Sequence, residues 1–541
     1  MLRVSDTEVA AAAKSSSIVL LTLASGQFLM TLDSSVMNVS IATVAKDVGT
    51  TVTGIQTAIT LYTLVMASLM ITGGKVGKIL GRKRAFAIGC VIYACGSFIT
   101  AIAQSLPVLI IGWSCLEGIG AALIMPAIVA LVASNFGAAE RSRAYGLVAA
   151  AGAIAVAAGP LIGGLFTTYL SWRLVFIGEV VIVAGILAFT KKIADTPPEA
   201  RVRLDLVGTV LSALGLGGVV FGILRAGEWG FVRPKAGAPQ WLGLSPSIWL
   251  MLGGGLVVWL FLNWEMRMID RGGEPLIDPR ILDNPTLRGG LTSFFFQYLL
   301  QAGLFFTIPL FLSVALGLSA VATGVRLLPL SITLLLAAAG IPKMFPDASP
   351  RRVVRFGMLA LFAGIVVMVG ALEAGAGPEI VTWPLLLAGL GVGALASQLG
   401  AVTVSSVPDE QTGEIGGLQN TLTNLGASIG TALAGAVLIS ALTTSFLTGI
   451  ADNPAVPDSV VESAEVELAG GIPFVSDADL GDALATAGVD AATADAIVDE
   501  NADARLQALR VSLSVLGLIA LAGLFATGRI PTKPPGATES A

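Results

Sequence analysis

The chain predicts an all-α polytopic membrane protein of 14 transmembrane helices, built as two pseudo-symmetric six-helix bundles plus two inserted helices. Three observations predict it. Hydrophobic residues are 55% of 541 and charged residues 12%, against about 25% charged in ordinary soluble domains. Fourteen apolar stretches approach the ~20 residues a helix needs to cross about 30 Å of hydrocarbon, where backbone polar groups left unpaired cannot face lipid. Finally, Gly146-Leu147, Gly159 and Gly164 recur 271 positions later as Gly417-Leu418, Gly430 and Gly435, the mark of two repeated halves.

The first stretch, 17–43, follows polar Met1–Ser16 and is too long for the apolar region of a cleavable signal. It is expected to be retained, behind a tail of residues 1–16. Stretches 52–72, 85–104, 107–134, 142–168 and 174–190 complete an N-terminal six-helix bundle over 17–192. The pair 205–224 and 247–263 forms the insert, 205–263. Stretches 290–316, 323–342, 354–372, 383–405, 415–443 and 509–528 make the second bundle, 290–528, before a tail of 529–541. The basic turn Arg82-Lys83-Arg84 after the second span is echoed by Arg351-Arg352 after the tenth, in the phase the repeat requires.

Lys and Arg set the orientation, because positive loops stay cytoplasmic during insertion. With both termini inside, all but eight of the 31 fall on the cytoplasmic side or its border. The exceptions are Lys46, Arg173, Arg225, Arg233, Lys235, Arg326, Arg505 and Arg510. The expected location is the cell (plasma) membrane, with both termini cytoplasmic. The outer segment 446–508 holds 13 acids and one Arg, with helical patterns at Asp477–Ala487 and Ala491–Leu506; it reads equally as a small helical cap or as an acidic, partly disordered loop. Cys90, Cys95 and Cys115 fall inside spans without paired metal-site spacing, which assigns them to core packing.

Three carboxylates, Asp33, Glu117 and Glu179, stand within spans 1, 4 and 6. A charge at mid-helix costs about 2.5–3.5 kcal/mol on insertion scales, so such groups persist where they face cavities or partners. Histidine is absent from the chain, which leaves carboxylates as the natural proton carriers. Polar candidates for substrate contact within spans are Asn38, Gln56, Tyr62, Gln297, Gln301 and Gln398, most of which serve equally well to bridge helices; Arg326, close to the outer start of span 10, fits either selection of anions or pairing with a nearby acid. No phosphate-binding loop is present: the run Gly77-Lys78-Ile79 lacks the upstream Gly (Thr72 stands there) and the following Ser or Thr. Clustered His, Cys or acidic metal ligands of a membrane enzyme are missing from the sequence pattern. No cofactor, metal, nucleotide or nucleic-acid partner is expected, and no enzymatic activity.

Glycine spacing adds to this. Gly152, Gly159-Pro160 and Gly163-Gly164 give span 5 a small-residue face that lets backbones approach. Gly74-Lys75-Val76-Gly77-Lys78-Ile79-Leu80-Gly81-Arg82-Lys83, after span 2, resembles the G-x-L-x-D-x-x-G-R-K signature of the major facilitator superfamily. The span 5 glycines resemble that superfamily's antiporter motif. Leu32-Asp33-Ser34-Ser35-Val36-Met37-Asn38-Val39 resembles the first-span L-D-x-T-x-V-N-V stretch of its fourteen-span drug:proton antiporter branch. Gln56 with Tyr62, Ser171-Trp172-Arg173 with Phe176, and Gly317-Leu318-Ser319 with Gly324 and Leu328-Pro329 are similar to further positions of that branch. The resemblance implies proton-coupled efflux of drugs by alternating access, with Gly74, Gly77, Gly81, Arg82 and Lys83 at a gate.

Three departures mark this chain. Lys78 replaces the acid of the loop signature, so that acid's relay role does not carry over. Ser114-Cys115-Leu116-Glu117-Gly118 stands where the family reads R-x-x-Q-G, without the Arg linked to proton coupling. Glu179-Val180-Val181 replaces N-x-P in span 6.

The sequence thus predicts a monomeric secondary exporter of lipophilic, cationic-leaning compounds, of the multidrug efflux and antibiotic resistance type, with protons and the bilayer as its other partners. Alternatives are an exporter of an endogenous metabolite or lipid and, from another class, a membrane sensor that uses the acidic outer segment.

Overall fold

The computed structural model describes residues 6–136, 138–195, 203–235, 237–373, 377–407, 412–468 and 472–533. Residues 1–5 and 534–541 of the expected tails lie outside them. Among the described residues, fourteen helices are long and apolar enough to cross a membrane. Spans 1 to 6 are Ser17–Asp47, Val52–Leu80, Arg82–Ala101, Leu106–Asn135, Ala144–Tyr169 and Arg173–Lys192. Spans 7 and 8 are Leu206–Trp229 and Pro246–Asp270. Spans 9 to 14 are Pro285–Ala315, Ala320–Met344, Pro350–Ala371, Pro378–Thr403, Ile415–Asp452 and Ala491–Arg529.

Several helices outrun the apolar stretches that announce them, since hydropathy reports the bilayer crossing and not the helix. The helix of span 1 begins at Asp6, inside the expected tail. Span 2 continues to Leu80, so Gly74 and Gly77 are helical and the turn shrinks to Gly81, whose φ of 96° suits glycine. Of the three unpaired cysteines, Cys90 is buried but Cys95 is exposed, which corrects its assignment to the core.

The two halves repeat the same packing. Span 1 lies on 5, 2 on 4, 3 on 4 and 3 on 6; in the second half 9 lies on 13, 10 on 12, 11 on 12 and 11 on 14. The halves meet where span 5 packs on 10 and span 13 packs on 2. The repeated glycines face equivalent helices in the two halves. A Cβ on Gly159 would fall 2.3 Å from Ser35 Oγ on span 1, and one on Gly430 would fall 2.1 Å from the Leu299 carbonyl on span 9. Their partners five residues on serve the seam: Gly164 faces the Ala320 carbonyl of span 10, and Gly435 faces Gln56 of span 2. Glycine admits a neighbouring backbone at 164 and 430 and a polar side chain at 159 and 435. Spans 7 and 8 pair with each other, and span 7 rests on spans 2 and 13, alongside that seam.

The described part of 446–508 is helical apart from Leu468 and the connections at 453–457, 472–476 and 487–490. Asp458–Glu467 and Asp477–Thr486 are separate short helices, whereas Ala491–Leu506 is the leading half of the span 14 helix, Ala491–Ala526. Phe474, Ile472, Ile497 and Val456 are buried beneath the short helices. Arg505 is 2% exposed; it donates to the Val475 carbonyl and to the Asp477 carboxylate. Removing these contacts costs about 2 kcal/mol, at the lower end for charge-assisted bonds because the Asp477 side chain is 45% exposed. Arg505→Ala is therefore expected to raise limited proteolysis between residues 446 and 508 about 30-fold, since cleavage follows the opening equilibrium. Cleavage at the wild-type rate counts against this anchoring role.

Candidate functional site

Asp33, Glu117 and Glu179 converge. They come from spans 1, 4 and 6, their exposures are 1%, 0% and 1%, and one carboxylate oxygen from each lies within 4.8 Å of the others. Span 3 supplies the floor. Tyr93 Oη and Ser97 Oγ donate to Glu179 Oε2 at 3.2 and 3.1 Å. Thr100 Oγ1 lies 3.2 Å from Glu117 Oε1 and 2.9 Å from the Gly96 carbonyl, so its single proton serves one of the two. Glu117 Oε2 and Glu179 Oε1 have no hydrogen-bond partner among the described residues. Among those residues no Lys or Arg pairs with any of the three acids.

The roof is aromatic. Trp113 Nε1–H donates to both Asp33 oxygens at 2.9 Å, and the Trp113 ring stacks on Tyr62 with centroids 5.2 Å apart. Trp113 and Glu117 lie four residues apart on one π-helical stretch, Ile110–Glu117, so both reach the same cluster. Widened turns of this kind occur often at functional sites. Ser114, between them, anchors the turn to the Ala58 carbonyl of span 2 at 2.8 Å. Span 3 makes room: a Cβ on Gly96 would fall 2.7 Å from both Glu117 Cγ and the Gly112 carbonyl.

Three oxygens from three acids could in principle hold a hard cation. Trp113 donates to both Asp33 oxygens and two hydroxyls donate to Glu179 Oε2, which leaves Glu117 Oε2 and Glu179 Oε1 as the open acceptors. Carboxylates with no Lys or Arg partner among the described residues, lined by hydroxyl and indole groups, also suit exchangeable protons.

Other expected site residues scatter. Gln56 is 2% exposed; its amide donates to the Thr431 and Ala432 carbonyls at 3.1 and 3.3 Å, tying span 2 to span 13. Ser428 Oγ adds a bond to the Thr60 carbonyl at 2.9 Å. Gln297 is buried, whereas Asn38, Gln301, Gln398 and Arg326 are half-buried. Asn38 donates to the Ser34 carbonyl of its own helix at 2.9 Å. Gly152 and Gly163 face span 1 like Gly159, while the Pro160 carbonyl meets Gly324 on span 10. The basic turn closes on its own half: Arg82 reaches the Ala130 carbonyl of span 4 at 3.4 Å, and Lys83 Nζ reaches the Ile193 carbonyl beyond span 6 at 2.8 Å.

Trp113, Tyr93, Ser97 and Thr100 were not among the sequence candidates. Their one sequence signal is helical spacing: Tyr93, Ser97 and Thr100 follow an i, i+4, i+7 pattern along span 3, as Trp113 and Glu117 follow i, i+4 along span 4.

Comparison with known proteins agrees with the architecture. A puromycin resistance protein of Streptomyces alboniger is 30% identical over 83% of this chain and 87% of its own length. A probable actinorhodin transporter of Streptomyces coelicolor is 28% identical over 76% of this chain and 70% of its own. The crystal structure of a bacterial homolog of the human lysosomal transporter Spinster, inward-facing and unoccupied, superposes with a TM-score of 0.59 at 14% identity, covering 95% of this chain and 98% of that one. Residues 23–431, from the span carrying Asp33 to the span 13 glycines, match the family model described as Major Facilitator Superfamily; this multi-pass membrane transporter therefore belongs to the major facilitator superfamily.

Proposed function

We propose that the protein is a proton-coupled exporter of lipophilic compounds, with cationic ones the favoured class, that works by alternating access in the plasma membrane with both termini cytoplasmic. The observation that carries the proposal is the buried meeting of Asp33, Glu117 and Glu179 within 4.8 Å, with no Lys or Arg partner among the described residues. Like charges this close in a medium of low dielectric do not all ionise, so the group holds at least one proton among its members. Losing a proton to one side and regaining it from the other changes the charge that the N-terminal bundle must bury. That is the differential energy needed to bias two conformations. The named activities of relatives, puromycin resistance and actinorhodin transport, support export of bulky compounds.

Energetics permit it. One proton entering down about 100 mV supplies about 2.3 kcal/mol, and a unit of pH adds about 1.4. Together they sustain roughly a 500-fold gradient of a neutral solute at one-to-one electrogenic coupling; for a monovalent cation the exchange moves no net charge and one pH unit alone sustains about tenfold. In the proposed orientation, the seam of Gly164, Gly324 and Gln56 lies at the outer end, so the structure has its halves in contact on that side.

The test uses proteoliposomes holding the full chain and a fluorescent lipophilic cation. An imposed pH gradient, with no nucleotide present, is expected to drive dye against its own gradient. Flux that merely follows the dye gradient, whatever the pH difference, rejects coupling. Trp113→Phe keeps the stack on Tyr62 and removes both bonds to Asp33. A hydrogen bond to a charged group is worth about 1.5–3 kcal/mol, so gradient-driven turnover is expected to fall about tenfold, and detergent-solubilised stability is expected to fall too because Asp33 stays buried without its indole donor. Wild-type turnover in Trp113→Phe would show the indole to be packing alone.

A further inference from the structure

Span 8 buries only 17% of its apolar window and span 7 28%, the two lowest shares among the described spans. Towards one end their exposed surface is not flat. Leu211 of span 7 and Trp259, Leu260, Asn263, Trp264 and Arg267 of span 8 line a groove of about 210 Å³. Trp259 and Leu260 are 58% and 43% exposed, so the groove walls are apolar and open to the surrounding bilayer.

A cation sits at its mouth. Arg267 is exposed, and no carboxylate among the described residues pairs with it. The nearby acids in sequence are committed elsewhere. Asp205 accepts from the Gly208 amide at 3.0 Å and from the Trp264 indole at 2.7 Å. Glu265 accepts from the Leu276 amide at 2.7 Å, and Asp270 pairs with Arg280 at 2.8 Å. The Asn263 amide N–H bonds the Trp259 carbonyl at 2.8 Å, which fixes the side chain beside the groove.

We propose that this groove is a binding site for an anionic glycerophospholipid, with an acyl chain along Leu211, Leu260 and the tryptophan rings and the phosphate on the Arg267 guanidinium. An apolar channel ending on a guanidinium is complementary to that amphiphile: guanidinium binds phosphate oxygens in a fixed fork, and basic pockets between spans recognise anionic head groups. A zwitterionic lipid fills the same channel but brings its own cation to the mouth. The inference is independent of what the protein transports and of its coupling ion.

Native mass spectrometry of the full-length protein, with equal phosphatidylglycerol and phosphatidylethanolamine added, tests it. Wild type is expected to retain phosphatidylglycerol about tenfold over phosphatidylethanolamine, and Arg267→Gln to lose that preference. Leu211→Trp, which fills the groove and keeps the charge, is expected to lose phosphatidylglycerol as well, with melting temperature and elution profile confirming that both variants fold. Arg271→Gln, an exposed cation outside the groove, should keep the wild-type preference. Equal retention by wild type and Arg267→Gln overturns the proposal, as does an equal loss in Arg271→Gln, which would mark general charge attraction. Complete displacement of phosphatidylglycerol by millimolar inorganic phosphate overturns it too, since the site would then be one for free anions.

Discussion

Glu117→Gln, Glu179→Gln and Asp33→Asn are each expected to abolish efflux driven by a pH gradient, by at least 100-fold, while leaving gradient-free exchange of substrate across the same proteoliposomes near the wild-type rate. The argument rests on how little else these changes disturb. An amide at 117 still meets Thr100, one at 179 still accepts from Ser97 and Tyr93, and one at 33 still accepts from Trp113. Each amide fills nearly the same volume and is neutral; at 117 and 179 its oxygen keeps these bonds, and at 33 one of the two Trp113 bonds is kept and the other lost, since an amide NH2 cannot accept. What disappears is a site that can gain and lose a proton. Because the three oxygens lie within 4.8 Å, the group titrates as a unit, and single replacements should be strongly non-additive: a double variant is expected to be no worse than either single one. Retention of gradient-driven flux by all three single variants ends the coupling assignment. A different class of function has its own signature. If the acidic outer segment were a sensor, deleting 450–505 would silence a signal and leave flux intact.

How much of this could be read from the chain alone differs from feature to feature, for physical reasons. The spans were legible because burial in lipid demands long apolar runs whatever the neighbours. Their ends were not. Span 13 continues to Asp452 and span 14 starts at Ala491, and those added turns leave the bilayer, where nothing selects for apolar residues. The relation of Gly159 to Gly430 and of Gly164 to Gly435 was legible as an offset, and the structure shows it to be an equivalence of contacts. That Asp33, Glu117 and Glu179 would share one cavity was not legible. In a membrane helix that is apolar on every side, no amphipathic stripe reveals which face turns inward. Trp113 was hidden for the same reason, since an aromatic in an apolar run looks like core. Gln56 stood out as a polar residue in a span, yet its identity gave no sign that both its bonds would go to backbone carbonyls of the opposite half.

Gly324→Ala is the other change expected to have a large effect, and it acts on the conformational cycle instead of on the proton site. A Cβ at 324 would fall 2.2 Å from the Pro160 carbonyl oxygen and 2.8 Å from its carbon. Both are backbone atoms that cannot rotate away, so spans 5 and 10 must part by about an ångström or more. Forced overpacking of this kind costs about 1–3 kcal/mol, levied only on the state in which this end is shut. Transferred to a two-state equilibrium, that shifts the populations about 5- to 150-fold towards the state with the end open. Turnover, which needs both states, is expected to fall at least tenfold. The Val321 amide donates to Thr168 Oγ1 at 2.9 Å across the same seam, so cysteines placed at 168 and 321 in a background without Cys90, Cys95 and Cys115 report the closure directly. Their cross-linking yield should drop in Gly324→Ala. Gly435→Ala offers a graded comparison, because its Cβ would meet the Gln56 side-chain amide at 2.0 Å. That amide can move, at the expense of its two bonds across the seam, so a smaller shift is expected. Gly146 and Gly417 have no atom within 4 Å of an added Cβ, and alanine at either position should leave both cross-linking and turnover unchanged. If all four alanine variants behave alike, glycine in these spans is a matter of composition and not of contact.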